Sequence, residues 1–152
     1  MCRSYSKSRS LAGARLGFAF ASKELIADLE LIRNSTNPYN INRLTQLAGK
    51  AAIDEDDYYM NACKEIARVR EWTKLQLKAL GFEVLESKTN FLFAKHNAID
   101  GGELYLTLKE KGILVRHFTK ERICQYNRIT IGTEEQMKTF IETVKTILEE
   151  EK

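Results

Sequence analysis

The chain has one proline in 152 residues, three cysteines, two histidines and one tryptophan. Each scarcity removes an explanation. The lone Pro38 sits in the turn cluster Asn34-Ser35-Thr36-Asn37-Pro38, and nothing elsewhere resembles a low-complexity linker or an internal repeat. Cys2, Cys63 and Cys124 form no C-x-x-C pair and cannot all pair with one another. Their wide spacing argues against a zinc site and suits a reducing compartment. No apolar run approaches the ~20 residues that span a bilayer, so no membrane partner is expected. The basic start (Arg3, Lys7, Arg9, Arg15) lacks the apolar stretch of a secretion signal, and the cytoplasm is the expected compartment. Charge of one sign is also missing. The chain carries 24 Lys plus Arg against 21 Asp plus Glu, with no basic block, so nucleic acid is not an expected partner.

What is present is the composition of a soluble globular chain, 43% hydrophobic and 30% charged, long enough to bury a sizeable core. Leu16 to Ala21 is a short apolar run that reads as a strand buried on both faces, as in a parallel sheet. Ser22 is placed to cap a helix with Leu25, Ile26, Leu29 and Ile32 on one face. A second helix is expected from about Asn42 to Ile53, with Leu44, Leu47, Ala48 and Ala51 facing inward. The longest periodic segment runs from Glu55 to Gly81, with Tyr59, Cys63, Ile66, Val69, Thr73, Leu77 and Leu80 at three- and four-residue spacings. Gly81 suits its C-terminal cap.

The period then changes. Phe82–Glu86 and Asn90–Ala94 read as strands, Gly101–Lys111 as a helix closed by Gly112, and Ile113–Phe118 and Arg128–Gly132 as two more strands. Thr133-Glu134-Glu135-Gln136 is a capping-box start for a final helix bearing Met137, Phe140, Ile141, Val144, Ile147 and Leu148. The expected fold class is α/β (α+β): a short, mainly antiparallel sheet flanked by helices, following the tail of an α/β layer.

One segment carries chemistry: Ser4-x-Ser6-Lys7-x-x-x-Leu11-Ala12-Gly13-x-Arg15-x-Gly17-Phe18. A lysine amine can act as a nucleophile when its surroundings disfavour charge. Serine hydroxyls and an arginine close by are donors suited to a phosphate. Gly13 is expected to turn the chain so that Arg15 points back. Other polar clusters have plainer readings. Asp54-Glu55-Asp56-Asp57 suits a helix N-terminus rather than a metal. His96 and His117 read as loop or strand residues, Cys63 as core, and Tyr58, Tyr59 and Trp72 as packing.

That segment closely resembles the lysine segment of type I pyridoxal-phosphate aminotransferases, especially the histidinol-phosphate aminotransferases. Pro38-Tyr39-Asn40-Ile41-Asn42, Thr89-Asn90-Phe91-Leu92-Phe93, Gly112-Ile113-Leu114-Val115-Arg116 and Arg128-Ile129-Thr130-Ile131-Gly132-Thr133 resemble later segments of that family, in order. The resemblance implies pyridoxal 5'-phosphate as cofactor. Lys7 would be the catalytic residue that carries it and shuttles the proton, and Ser4, Ser6 and Arg15 would grip its phosphate. Arg128 would bind the substrate α-carboxylate. Arg116 would assist at the substrate end or brace the sheet, and Tyr39 and Asn40 would lie near the site's mouth.

The resemblance further implies amino-group transfer between histidinol phosphate and 2-oxoglutarate in histidine biosynthesis, by a homodimer. In that family the aspartate at the ring nitrogen, the stacking aromatic and the cofactor-oxygen tyrosine precede the lysine. Only six residues precede Lys7. The expectation is therefore a C-terminal portion, inert alone: residues 1–53 a remnant of the large domain with its connection, and 54–152 the small α+β domain with the long bridging helix. Two alternatives stay open. A phosphothreonine decarboxylase of the same superfamily shares the lysine and both arginines, although Leu11-Ala12-Gly13 is closer to the aminotransferases. A non-catalytic α+β module would only associate with itself or a partner.

Overall fold

A computed structural model of the chain describes residues 1–150. The chain divides into two compact units, Met1–Cys63 and a second that begins at Lys64.

In the first unit, strands β1 (Cys2–Ser4) and β2 (Gly17–Ala19) pair antiparallel, with Cys2 opposite Ala19 and Ser4 opposite Gly17. The run expected as a doubly buried parallel strand is thus a three-residue antiparallel one, exposed throughout. It has one neighbour strand, and a strand is buried on both faces only where layers cover both. Helix α1 (Lys23–Thr36) starts at Ser22, whose hydroxyl accepts from the Leu25 amide at 3.4 Å. Its apolar stripe exists, but no residue of α1 is buried. Helix α2 (Arg43–Asp54) is capped by Asn42, which accepts from the Thr45 amide at 2.8 Å. Its inward face differs from the expected one. Gly49 and Ala52 are buried, whereas Leu44 and Leu47 are exposed. Gly49 lies against Leu16 of the first loop.

Helix α3 (Asp56–Ala79) is the expected long helix, about 36 Å at 1.5 Å per residue. Its first two turns belong to the first unit. In the second unit it contributes buried Val69, Thr73 and Leu77. Strands β3 (Glu83–Val84), β4 (Phe91–Lys95), β5 (Arg116–His117) and β6 (Asn127–Thr130) form an antiparallel sheet of order β3-β4-β6-β5. Helices α4 (Gly101–Glu110) and α5 (Glu134–Glu150) complete the unit. The first and third strands are shorter than the sequence suggests, because pairing covers only Glu83–Val84 and Arg116–His117.

The core joins Leu92 and Ala94 of β4 and Ile129 of β6 to Leu77, Leu104, Leu108, Met137, Phe140, Val144 and Ile147 of the helices. Because strand side chains alternate, Phe91, Phe93, Lys95, Arg128 and Thr130 take the other face of the sheet. The ends of the helices are built as their sequences indicate. Gly81 and Gly112 take left-handed backbone angles (φ 88° and 82°) just past α3 and α4, where a side chain would be strained. Thr133 accepts from the Gln136 amide at 3.3 Å while Gln136 Oε1 accepts from the Thr133 amide at 2.9 Å, a reciprocal capping box.

Candidate active site

The sequence-predicted site residues fall in both units: Ser4, Ser6, Lys7 and Arg15 in the first, Arg116 and Arg128 in the second. The lysine lies in the loop between β1 and β2. Backbone bonds cinch this loop: the Tyr5 amide donates to Leu16 O at 3.1 Å, Leu11 N to Tyr5 O at 3.1 Å, and Ser10 N to Lys7 O at 3.1 Å. Tyr5 is buried, and its ring meets Phe18 edge-on at 5.7 Å. The loop seats on α2 at Gly49, where a built Cβ would lie 2.3 Å from Leu16 Cδ2 and 3.9 Å from Tyr5 Cε1. A side chain there would force Leu16 to shift, while Tyr5 is at ordinary contact distance.

Ser4 and Ser6 come together. The Ser4 hydroxyl donates to Ser6 Oγ at 2.9 Å and accepts from the Ser6 amide at 3.1 Å. Arg15 donates to Ala12 O at 3.3 Å. Gly13 lies in a turn, as expected, closed by the Ala14 amide donating to Leu11 O at 3.2 Å, but it does not take the left-handed angle. The left-handed residues are Ser10 (φ 55°) and Arg15 itself (φ 53°), and a Cβ at Gly13 would meet nothing within 4 Å. A left-handed angle at a non-glycine residue is uncommon and costs energy, so the loop's backbone strain lies on Ser10 and on the arginine itself.

Arg9 is an anchor that sequence reasoning missed. Its guanidinium pairs with Asp56 at the start of α3 and lies 5.4 Å over the Tyr59 ring. Its Nη1 is buried with no hydrogen-bond partner among the described residues. No local signal could have found this pair, because 47 residues separate its members. Tyr39, expected near the site's mouth, is highly exposed in the segment between α1 and α2.

In the second unit, Arg128 and Arg116 are cross-strand partners on β6 and β5. The Arg128 guanidinium lies 4.5 Å from the centre of the Phe91 ring and 5.8 Å from that of Phe118, and Arg116 lies 5.5 Å from that of Phe118. Arg128 Nε is buried without a hydrogen-bond partner among the described residues. Buried Arg70 of α3 donates to Thr89 O at 2.9 Å, and the Thr89 hydroxyl accepts from the Phe91 amide at 3.1 Å. This chain of contacts holds Phe91 where it meets Arg128. The alternation Phe91-x-Phe93 was the available signal for this aromatic face, and it was legible only once the strand's register was known.

Among the described residues no cluster of three or more His, Cys, Asp or Glu is placed to hold a metal. No helix among them is long and apolar enough to cross a membrane. His117 serves structure, its Nδ1 lying 3.3 Å from Asn127 Oδ1. Buried Asn127 in turn donates to Gly101 O at 2.8 Å.

Comparison with known proteins identifies the family. The chain is 49% identical over 146 residues to the histidinol-phosphate aminotransferase of Brachyspira hyodysenteriae, a match covering 96% of this chain and 41% of that protein. The chain therefore spans about 41% of that relative's length. The crystal structure of the histidinol-phosphate aminotransferase from Clostridium acetobutylicum superposes with a TM-score of 0.83 over 96% of this chain and 44% of that one, at 24% identity. The L-threonine-O-3-phosphate decarboxylase from Porphyromonas gingivalis superposes with a TM-score of 0.78 over 98% of this chain and 46% of that one, also at 24% identity. At these identities the two structures speak for the fold alone. The family model for aminotransferase class I and II matches residues 1–144, and the chain belongs to that family.

Proposed function

We propose that this chain supplies the lysine, the phosphate donors and the carboxylate fork of a pyridoxal-phosphate-dependent aminotransferase. Its amino donor is histidinol phosphate, its acceptor is 2-oxoglutarate, and it serves histidine biosynthesis as a homodimer. The observation that carries the reading is the near-complete alignment of this chain with a histidinol-phosphate aminotransferase, with Lys7 set in a cinched loop beside paired serine hydroxyls.

The residues present fit the phosphate end of the cofactor. Ser4 and Ser6 bring two hydroxyls within 2.9 Å of each other, and Arg15 on the same loop adds a cation. When bound, pyridoxal phosphate supplies an electron sink that makes the substrate Cα–H acidic. Lys7 Nζ would hold the cofactor and, once the substrate amine has displaced it, would be the free amine that takes the proton from Cα. Ser4, Ser6 and Arg15 would bind the phosphate and so hold the cofactor in one orientation. Arg128 would bind the substrate α-carboxylate through its terminal nitrogens and so orient the substrate. Arg116 acts at the substrate end of the same face.

The 152 residues alone are expected to show no transaminase turnover, because they amount to about 41% of the relative's length and none of their acids is assigned to the cofactor ring nitrogen. The test uses a full-length chimera in which this chain replaces the aligned segment of the Brachyspira relative. Glutamate formation from histidinol phosphate and 2-oxoglutarate is expected, together with its loss on Lys7→Ala. Carbon dioxide release without glutamate would instead favour a decarboxylase, and turnover that survives Lys7→Ala would end the assignment.

A further inference from the structure

Arg116 and Arg128 stand directly opposite each other on paired strands. Like charges in that position repel. Neither arginine has an ion-pair or hydrogen-bond partner among the described residues. What lies next to both is one ring, Phe118, at 5.5 Å from Arg116 and 5.8 Å from Arg128. The negative face of an aromatic ring attracts a guanidinium and does so more strongly where water is scarce. Arg128 meets that condition, because its Nε is shielded from solvent and it also packs over Phe91.

Phe118 is itself braced. Phe93 meets it edge-on at 5.9 Å, Tyr126 stacks on Phe93 at 4.7 Å, and the Tyr126 hydroxyl donates to Glu83 Oε1 at 2.6 Å. A row of three rings, Tyr126, Phe93 and Phe118, therefore ends at the two cations. With Nε shut away, the two terminal nitrogens are what remains of Arg128 for an anion approaching end-on.

We propose that Phe118 is a positioning residue: its ring holds Arg116 and Arg128 side by side against their repulsion and fixes Arg128 for end-on capture of a carboxylate. The proposal rests on the reading of Arg128 as the carboxylate fork.

The test is nuclear magnetic resonance on the isotope-labelled 152-residue chain, with glutarate as the dicarboxylate probe. In the parent protein the Arg128 Nε–Hε signal exchanges slowly with water and shifts on glutarate titration. Phe118→Leu keeps apolar bulk and removes the ring; it speeds that exchange and weakens glutarate binding by about two- to five-fold. Phe118→Tyr restores both. If Phe118→Leu disturbs the amide signals of Leu77 or Val144, Phe118→Met takes its place. Exchange and affinity unchanged in the ring-less variants would overturn the proposal, as would failure of Phe118→Tyr to restore them. A parent protein that shows slow exchange but no glutarate shift would instead refute the carboxylate reading, while the exchange comparison still decides the role of Phe118.

Discussion

The two units solve the burial problem differently. From Lys64 onward, sheet and helices share one continuous core, with Leu77 and Val144 fully buried. In the first 63 residues the buried side chains are Tyr5 and Ala52, beside Gly49, while Leu25, Leu29, Leu31, Ile32, Leu44 and Leu47 stand exposed on amphipathic helices. The hydrophobic effect scales with area removed from water, so the second unit has a driving force that the first lacks. The candidate cofactor lysine thus sits on a loop held by local hydrogen bonds, whereas the candidate carboxylate fork sits on a strand held by a core. The contrast separates what makes a site chemically apt from what makes it rigid.

The largest effect that would break this contrast is Leu77→Ala. Removing a fully buried leucine leaves a cavity and should cost about 2–5 kcal/mol. Leu31→Ala, at an exposed position of α1, should stay within about 0.5 kcal/mol. Chemical denaturation of both variants checks the pair, and equal losses would mean that α1 is covered in solution. Next comes Gly49→Val. A side chain at the seat of the loop must displace Leu16, and overpacking of this kind costs about 1–3 kcal/mol. The loss should be confined to the first unit: the Tyr5 ring signals move and the Leu77 amide does not.

The second unit was the more legible of the two. Its helices, its two left-handed glycines and its capping box each depend on residues within a few positions, so period and local chemistry suffice. In the first unit the amphipathic stripes were read correctly as stripes, but a stripe says which face is apolar and not what covers it. Leu16 to Ala21 looked like a buried strand because its composition is that of one. Its exposure follows from neighbours, which composition does not encode. The same limit applies to the candidate site. Lys7, Ser4, Ser6 and Arg15 share one short segment and were found together. The supports of the site (Arg9 on Asp56, Leu16 on Gly49, Arg70 on Thr89) join positions 19 to 47 residues apart, and no local pattern reports them.

Those long-range supports differ in weight. Arg9→Met would remove the pair with Asp56 and keep the stem. Asp56 is largely exposed, and such pairs contribute about 0–1 kcal/mol. The expected readout is therefore order and not stability: faster amide exchange at Ser10 and Leu11, whose hydrogen bonds close the loop, with the core of the second unit unaffected. Unchanged exchange at Ser10 and Leu11 would show that Tyr5 and Leu16 hold the loop without the arginine.

The smallest effect is electrostatic and belongs to the second unit. Glu134 at the start of α5 pairs with Lys138 at 2.7 Å and with Arg68 of α3 at 2.5 Å. Hydrogen bonds from Lys138 and then Arg68 lower its carboxyl from an ordinary 4.5 to about 2. A carboxyl depressed on folding favours the folded state above its unfolded value, and that contribution fades as pH falls. The window here runs from about 4.5 down to about 2. Arg68→Met removes one partner and should raise the Glu134 midpoint in a carboxyl-carbon titration, leaving Lys138 to hold the remainder. The exposure of the group keeps the stability change small, and added salt should shrink it further. A midpoint that stays near 2 in Arg68→Met would mean that Lys138 alone sets the titration, and that α3 and α5 are joined by their apolar faces without help from charge.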